Sequence, residues 1–276
     1  MILGFLGKGG SGKSTLATAV TNYLQNDEKN TILAIDADYN MDLMHNLGVS
    51  DDISYLGSHA KIEIKNTLNV DQNKFYADIV LDDSNLQKLS ISPQDNFTKQ
   101  FSTKIHENLH LMAVGPHSPD VLHDKMCSHG LSAVLKAYLP LLDLKDNEYV
   151  IVDEKAGVDS VGTGIPTGFS MAIIVAEATV YGVKAAKQIS ELLENHYKVP
   201  FGYVINKVKK DTNLEAITKE LKKNIICHIP FWESIDNEYT EQIIRYAQDR
   251  ISQNGDRRYG QSTAKFIFNK KYNTME

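Results

Sequence analysis

Near its start the chain reads Ile2-Leu-Gly-Phe-Leu-Gly7-Lys-Gly-Gly-Ser-Gly-Lys-Ser-Thr15, and this stretch decides the fold. An apolar run of strand length enters a glycine-rich turn, and the apolar spacing after Thr15 predicts a helix. Gly7 and Gly12 enclose four residues and precede a lysine and a serine, which completes the phosphate-loop pattern. This order predicts an α/β fold with a doubly wound, mostly parallel sheet and helices on both faces.

Each residue type in this loop has a chemical reason. Glycine lets successive backbone N–H groups turn toward one phosphate, since no Cβ blocks the required dihedral angles. The following helix directs the positive end of its dipole to the same point. Lys13 can then reach the terminal phosphates, and the Ser14 hydroxyl can coordinate Mg²⁺. The predicted nucleotide contacts from this loop are Gly7, Gly9, Gly10, Ser11, Gly12, Lys13, Ser14 and Thr15.

Acidic residues follow two later apolar runs of strand length. Residues 31–35 lead into Asp36 and Asp38, and residues 148–152 lead into Asp153. The carboxyl ends of parallel strands are where such sheets bind ligands. We predict that Asp153 holds an Mg²⁺-bound water and that the backbone N–H of Gly157 approaches the γ-phosphate. For Asp36 and Asp38, capping of the next helix is the alternative interpretation.

A second lysine, Lys8, follows the first glycine of the loop directly. The segment from Gly7 to Thr15 therefore resembles the variant phosphate loop of one ATPase class. That class includes the nitrogenase iron protein, the arsenite-pump ATPase, the Min and Par positioning ATPases and metallocentre-maturation ATPases. The resemblance implies hydrolysis of ATP by a homodimer with both nucleotides at the interface. It also implies that Lys8 reaches across the dimer to the partner's nucleotide.

The same resemblance assigns roles at the two switches and at the base site. Asp38 matches the class's water-orienting aspartate, and Asp36 matches its partner near the Mg²⁺, although Tyr39 stands where proline is usual. Asn206, followed by Lys207, matches the adenine-recognition position, where an amide can pair with the adenine edge; a turn asparagine is the alternative. Pro230 begins a loop that resembles the one closing over the base. The implied catalytic residues are Lys8, Lys13 and Asp38, and the implied Mg²⁺ residues are Ser14, Asp36 and Asp153.

Within the class, the chain looks closest to the CooC-type accessory ATPases that mature nickel carbon monoxide dehydrogenase. Cys127-Ser-His129 fits the run leading to their Cys-x-Cys metal motif, and residues 149–159 fit their second switch, with Glu154 and Lys155 departing from its usual Thr-Glu. The resemblance implies an unidentified metalloenzyme client. Thiolate and imidazole both bind Zn²⁺ or Ni²⁺, so Cys127 and His129 from two subunits would complete one site. A small core cysteine beside a surface histidine is the alternative interpretation.

Two other functional classes stay open at this point. One is a Par- or Min-type positioning ATPase that acts on DNA or membrane, and the other is a nucleotide-gated scaffold with weak hydrolysis, suggested by Lys155 in the second switch. The net charge of −6 disfavours a general nucleic-acid-binding surface. No apolar run is long enough to cross a bilayer, which disfavours a membrane span. Two cysteines do not make a disulfide scaffold, so we expect a cytoplasmic protein.

The chain has 276 residues, of which 42% are hydrophobic, enough for a full core. We assign residues 1–255 to one phosphate-loop ATPase domain and residues 256–276 to a polar C-terminal tail. Residues 48–108 carry no motif of the class, and we interpret them as an insertion on the ligand side of the sheet that offers a partner surface. Within that segment, the alternating residues 61–65 predict a short strand. Residues 181–197 predict an amphipathic helix.

Overall fold

The computed structural model describes residues 1–50, 53–73, 88–91, 95–116, 129–221 and 224–254. Its centre is an eight-stranded sheet in the order β3-β4-β2-β5-β1-β6-β7-β8, parallel except where β3 pairs with β4. The predicted doubly wound, mostly parallel α/β architecture is thereby confirmed. The strands are β1 (Ile2–Gly7), β2 (Thr31–Asp36), β3 (Thr103–His106), β4 (Leu109–Ala113), β5 (Glu148–Asp153), β6 (Met171–Glu177), β7 (Phe201–Val208) and β8 (Ile225–Pro230).

Helices cover both faces of the sheet. Because the central strands are buried on both sides, they read as continuous apolar runs without alternation; every residue of β1 is buried. Alternate residues serve opposite cores, with Leu3 and Phe5 on one face and Ile2 and Leu6 on the other. The helices are α1 (Lys13–Gln25), α2 (Asp42–Asn46), α3 (Gly57–Thr67), α4 (Asn96–Phe101), α5 (His129–Leu141), α6 (Asp159–Gly162), α7 (Val180–Leu192), α8 (Leu214–Thr218) and α9 (Asn237–Asn254).

Two amphipathic helices show how the sequence sets this layering. Helix α1 buries Leu16, Val20 and Leu24 at helical spacing against the same core as α9. Helix α7 buries its own stripe on the opposite face of the sheet, in the core to which α3 and α5 also contribute. The helix predicted over residues 181–197 is thus confirmed in its first part, and a π turn follows it over residues 193–197.

The strand predicted over residues 61–65 is wrong, because this segment lies within helix α3. Leu56, Ala60 and Ile64 are fully buried at intervals of four residues, which is a helical spacing. Ile62, whose apolar character produced the apparent alternation, is 50% exposed. Together with buried residues of α4 and the edge strand β3, the described parts of residues 48–108 contribute to the core. A partner surface on this segment stays a prediction.

The sheet order brings the predicted site together. Strand β1 lies between β5 and β6, and β5 lies between β1 and β2. In the register, Asp153 at the end of β5 pairs with Asp36 of β2 and with Phe5 of β1. The phosphate loop and the two acidic strand ends therefore open on the same edge of the sheet, as expected for a ligand site in a parallel sheet.

Candidate functional site

The phosphate loop connects β1 to α1 and shapes the edge of a cavity of about 380 Å³. Gly10 and Gly12 have φ angles of 78° and 94°, in the left-handed region that favours glycine. The backbone N–H of Ser11 donates to the Lys8 carbonyl at 3.1 Å, which closes the turn. The loop residues lining the cavity are Gly9, Gly10, Gly12, Lys13, Ser14 and Thr15.

Lys13 lies at the centre of this site. Its ammonium is 3.0 Å from Asp38 Oδ2 and 3.3 Å from Asp153 Oδ1, and it donates to Ser14 Oγ at 3.4 Å. All four side chains are buried. Burial lowers the pKa of Lys13, but the charges of Asp153 and Asp38 outweigh it and the net shift is upward. Lys13 is therefore protonated at neutral pH, and the structure brings these predicted residues together.

Asp36, the last residue of β2, holds the segment that follows the strand. One carboxylate oxygen accepts from the backbone N–H of Asp38 at 3.1 Å, and the other accepts from that of Met44 at 2.9 Å. Burial raises the pKa of this fully buried carboxyl to about 7. One oxygen holds the backbone of Asp38 and the other holds the start of α2, so here Asp36 acts as a positioning group. Its predicted role near Mg²⁺ stays a prediction.

Asp153 and Ser14 provide oxygen ligands of the kind that Mg²⁺ prefers. Asp153 is fully buried, and its Oδ2 atom has no hydrogen-bond partner among the described residues. Burial raises the pKa of Asp153 to about 6 in spite of the neighbouring Lys13. An orphaned carboxylate oxygen next to a hydroxyl fits a metal ion that brings its own positive charge. When bound with nucleotide, Mg²⁺ would be held by Ser14 and Asp153 and would neutralise phosphate charge.

Glu154, the next residue, is a site feature that the sequence analysis did not assign. It is fully buried, and neither carboxylate oxygen has a hydrogen-bond partner among the described residues. Burial raises the pKa of Glu154 to about 8. A second acid after the strand-ending aspartate was the available signal, but nothing local in the sequence indicates that both are buried.

Two side chains at the end of β7 form hydrogen bonds with the phosphate loop. The Asn206 side-chain amide donates to the Ser11 carbonyl at 2.8 Å, and its oxygen accepts from the Lys207 backbone at 2.9 Å. The Lys207 ammonium donates to the Gly10 carbonyl at 2.5 Å. Of the two predicted base-site residues, Lys207 lines the cavity, whereas Asn206 packs under Gly12. Adenine recognition by Asn206 stays a prediction.

Three other predicted residues do not line the cavity. The backbone N–H of Gly157 donates to the Gly7 carbonyl at 2.9 Å, so it must change partner before it can approach a phosphate. Pro230 lies beside the end of β7, where Val208 accepts from the Phe231 backbone at 2.9 Å. Lys8 is exposed and forms no ion pair with another described residue, which leaves it accessible to a second subunit.

The predicted transition-metal pair falls largely outside the described residues. Cys127 is not among them, and His129 is described only as backbone at the start of α5. Among the described side chains, no group of three or more His, Cys, Asp or Glu residues is arranged to hold a metal ion. The Zn²⁺ or Ni²⁺ site therefore stays a prediction.

Comparison with known families identifies the family to which this nucleotide-site geometry belongs. Residues 3–247 match the family described as the CobQ/CobB/MinD/ParA nucleotide binding domain. The chain belongs to this family. The match spans the phosphate loop, both acidic strand ends and the β7 and β8 ends, so every assigned part of the site lies within the MinD/ParA-type domain.

A curated relative is named as an ATP-binding protein, and solved structures share the fold. An uncharacterized ATP-binding protein of Methanocaldococcus jannaschii is 29% identical over 239 residues, covering 83% of this chain and 88% of that protein. A plasmid partition protein from Borrelia burgdorferi has a TM-score of 0.56 at 17% identity, covering 91% of this chain and 98% of that one. The septum site-determining protein MinD from Pyrococcus horikoshii OT3, complexed with Mg-ADP, has a TM-score of 0.53 at 15% identity. The alignment covers 99% of this chain and 96% of that one.

At these identities the structural likeness shows the fold alone. None of these three relatives is named as a metalloenzyme-maturation ATPase, so the CooC-type resemblance is supported only at the level of the family. Within the described residues, none of the helices is both long and apolar enough for a membrane span.

Gly12→Ala is expected to destabilise the nucleotide-free protein. Its φ angle of 94° is strained for alanine, and a Cβ would lie 2.4 Å from the Asn206 amide nitrogen. We expect the free energy of unfolding, measured with urea, to fall by about 1–3 kcal/mol relative to wild type. Gly9→Ala is the matched control, because a Cβ there would meet only the Ala156 side chain at 3.7 Å. Equal stability of the two variants would show that the loop conformation has been assigned wrongly.

Proposed function

We propose that this chain is a homodimeric, nucleotide-switched ATPase that works as a positioning ATPase of the ParA/MinD kind. The observation that carries the proposal is the cluster in which Lys13 contacts Asp38 and Asp153, with Lys13 and Asp38 lining the cavity, near an exposed Lys8. The partition and septum-site relatives support the positioning role. The maturation role expected from the sequence has no comparable support, so the positioning alternative accounts better for the known relatives.

The proposed reaction adds water to the γ-phosphorus of ATP and releases ADP and phosphate. Lys13 carries the positive charge that balances the phosphate oxygens, and positioning with electrostatics does most of the work in phosphoryl transfer. Asp38 accepts a hydrogen bond from the attacking water and thereby orients it. Asp36 accepts from the backbone N–H groups of Asp38 and of Met44 in α2, which holds the loop that carries Asp38 at both ends.

The Lys8→Ala variant tests the dimer in this proposal. We expect light scattering to show about twice the monomer mass for wild type with a non-hydrolysable ATP analogue and a monomer for Lys8→Ala. The physical reason is that the exposed ammonium would neutralise the partner's phosphates. Lys29→Ala is the control, since Lys29 is an exposed lysine in the turn before β2, at the opposite edge of the sheet. A wild-type chain that binds the analogue and stays monomeric would contradict the proposal.

The surface that a positioning ATPase acts on is tested by two binding assays. DNA binding is measured as a function of salt, because phosphate contacts give a steep salt dependence. Binding to vesicles containing anionic lipid is measured by sedimentation. A positioning ATPase is expected to bind one of the two with ATP and to release it with ADP. Nucleotide-independent behaviour in both assays would favour the gated scaffold.

A further inference from the structure

The ammonium of Lys13 occupies the point where the expected metal ligands converge. It contacts Asp153 at 3.3 Å and the Ser14 hydroxyl at 3.4 Å, which are the two residues that would hold Mg²⁺. It also contacts Asp38, the water-orienting residue, at 3.0 Å. A lysine ammonium and a divalent cation cannot share these oxygens, because they need the same space and repel each other.

Burial makes this contact stronger than a surface ion pair. Lys13 is 6% exposed, Asp38 5% and Asp153 0%. Salt screens buried charges weakly, and removal of one partner from a buried pair leaves the other charge uncompensated. Lys13 will therefore leave the two carboxylates only for a partner of greater negative charge, such as the phosphates of a nucleotide.

We propose that the nucleotide-free site is blocked by its own lysine, so that a divalent cation binds only after nucleotide phosphates have drawn Lys13 away from Asp38 and Asp153. This inference rests on the proposed function only in that the site takes Mg²⁺ and a nucleotide. The exchange leaves two carboxylates free at the moment when the metal is needed. Metal and nucleotide thereby raise each other's affinity, since such coupling is reciprocal.

The contact also engages the carboxylate that is proposed to orient the water. Asp38 Oδ2 accepts from Lys13 and Oδ1 accepts from the backbone N–H of Asn40 at 3.2 Å, so a water must compete with a donor at either oxygen. Lys13 is the first residue of α1, so its long side chain can change partners while the helix stays in place. The lysine thus couples nucleotide entry to completion of both the metal site and the water site.

The test uses Mn²⁺ as the probe, because it accepts the same oxygen ligands and free Mn²⁺ is counted by electron paramagnetic resonance. Without nucleotide, we expect Lys13→Met to bind one Mn²⁺ at least about tenfold more tightly than wild type. Adding Asp153→Asn to this variant should remove the tight site, which locates it. Lys187→Met is the matched control, since that lysine also pairs with a carboxylate, Glu220 at 2.6 Å, but lies outside the cavity; its Mn²⁺ affinity should equal that of wild type.

If Lys13→Met does not fold, Mn²⁺ binding by the wild-type protein still tests the proposal. Tight Mn²⁺ binding by nucleotide-free wild type that disappears in Asp153→Asn would overturn the proposal, as would equal Mn²⁺ affinity of folded Lys13→Met and wild type. With ADP present, wild type should gain one tight Mn²⁺. A chain that shows this gain but never hydrolyses ATP would contradict the proposed ATPase and leave the blocked site standing.

Discussion

Replacing Asp38 by alanine is expected to slow ATP hydrolysis by about a hundredfold or more, the usual scale for a lost water-positioning group. ATP should remain bound, because the predicted phosphate contacts of the loop and of Lys13 do not depend on Asp38. Lys13 also loses a competing partner at 3.0 Å, so the affinity for ATP is not expected to fall. Phosphate release under single-turnover conditions measures the rate, and calorimetric titration measures the affinity.

Asp249→Ala is the control for this experiment. Asp249 is an exposed aspartate within α9, and it does not line the cavity. Its substitution should leave hydrolysis near the wild-type rate. If Asp38→Ala hydrolyses normally, the first switch has been misplaced or Asp36 orients the water. A loss of ATP binding in Asp38→Ala would instead show that this carboxylate organises the phosphate site itself.

The sequence predicted those parts of the site that local chemistry and sheet geometry determine together. The loop from Gly7 to Thr15 needs its glycines and its lysine wherever it occurs. Asp36 and Asp153 end apolar strands, and the rule that parallel strands share a ligand edge brings them together. The observed pairing of these two aspartates in register shows why that inference succeeded.

The sequence could not show which partner a group takes when the alternatives come from distant parts of the chain. Asn206 and Gly157 bond Ser11 and Gly7 here, and their contacts with a base and a phosphate stay predictions. Helix α3 was missed because Ile62 and Ile64 imitate a strand, and only burial against α5 separates them. Such competition between partners is a tertiary property and leaves no local pattern.

Glu154→Gln is expected to be more stable than wild type at pH 8 and equal to it near pH 5. The folded protein raises the pKa of Glu154 to about 8 because the carboxyl is buried without a hydrogen-bond partner. Between the ordinary pKa of glutamate and this value, the unfolded chain ionises while the folded chain stays protonated. Wild-type stability therefore falls as pH rises through this window, and the difference should reach on the order of 2–4 kcal/mol.

Urea unfolding followed by circular dichroism at both pH values measures this difference. Asp36 and Asp153 also have raised pKa values, but they are present in both proteins and their contributions cancel in the comparison. Glu28→Gln is the matched control, because Glu28 is exposed and its substitution should give no pH-dependent difference. If Glu154→Gln is instead less stable at pH 8, the ionised carboxylate has a stabilising partner, for which the adjacent Lys155 is the nearest cation along the chain. If Glu154→Gln is more stable as expected, the buried acid lowers stability because it has no hydrogen-bond partner among the described residues, and its position beside Asp153 then favours a role in the second switch.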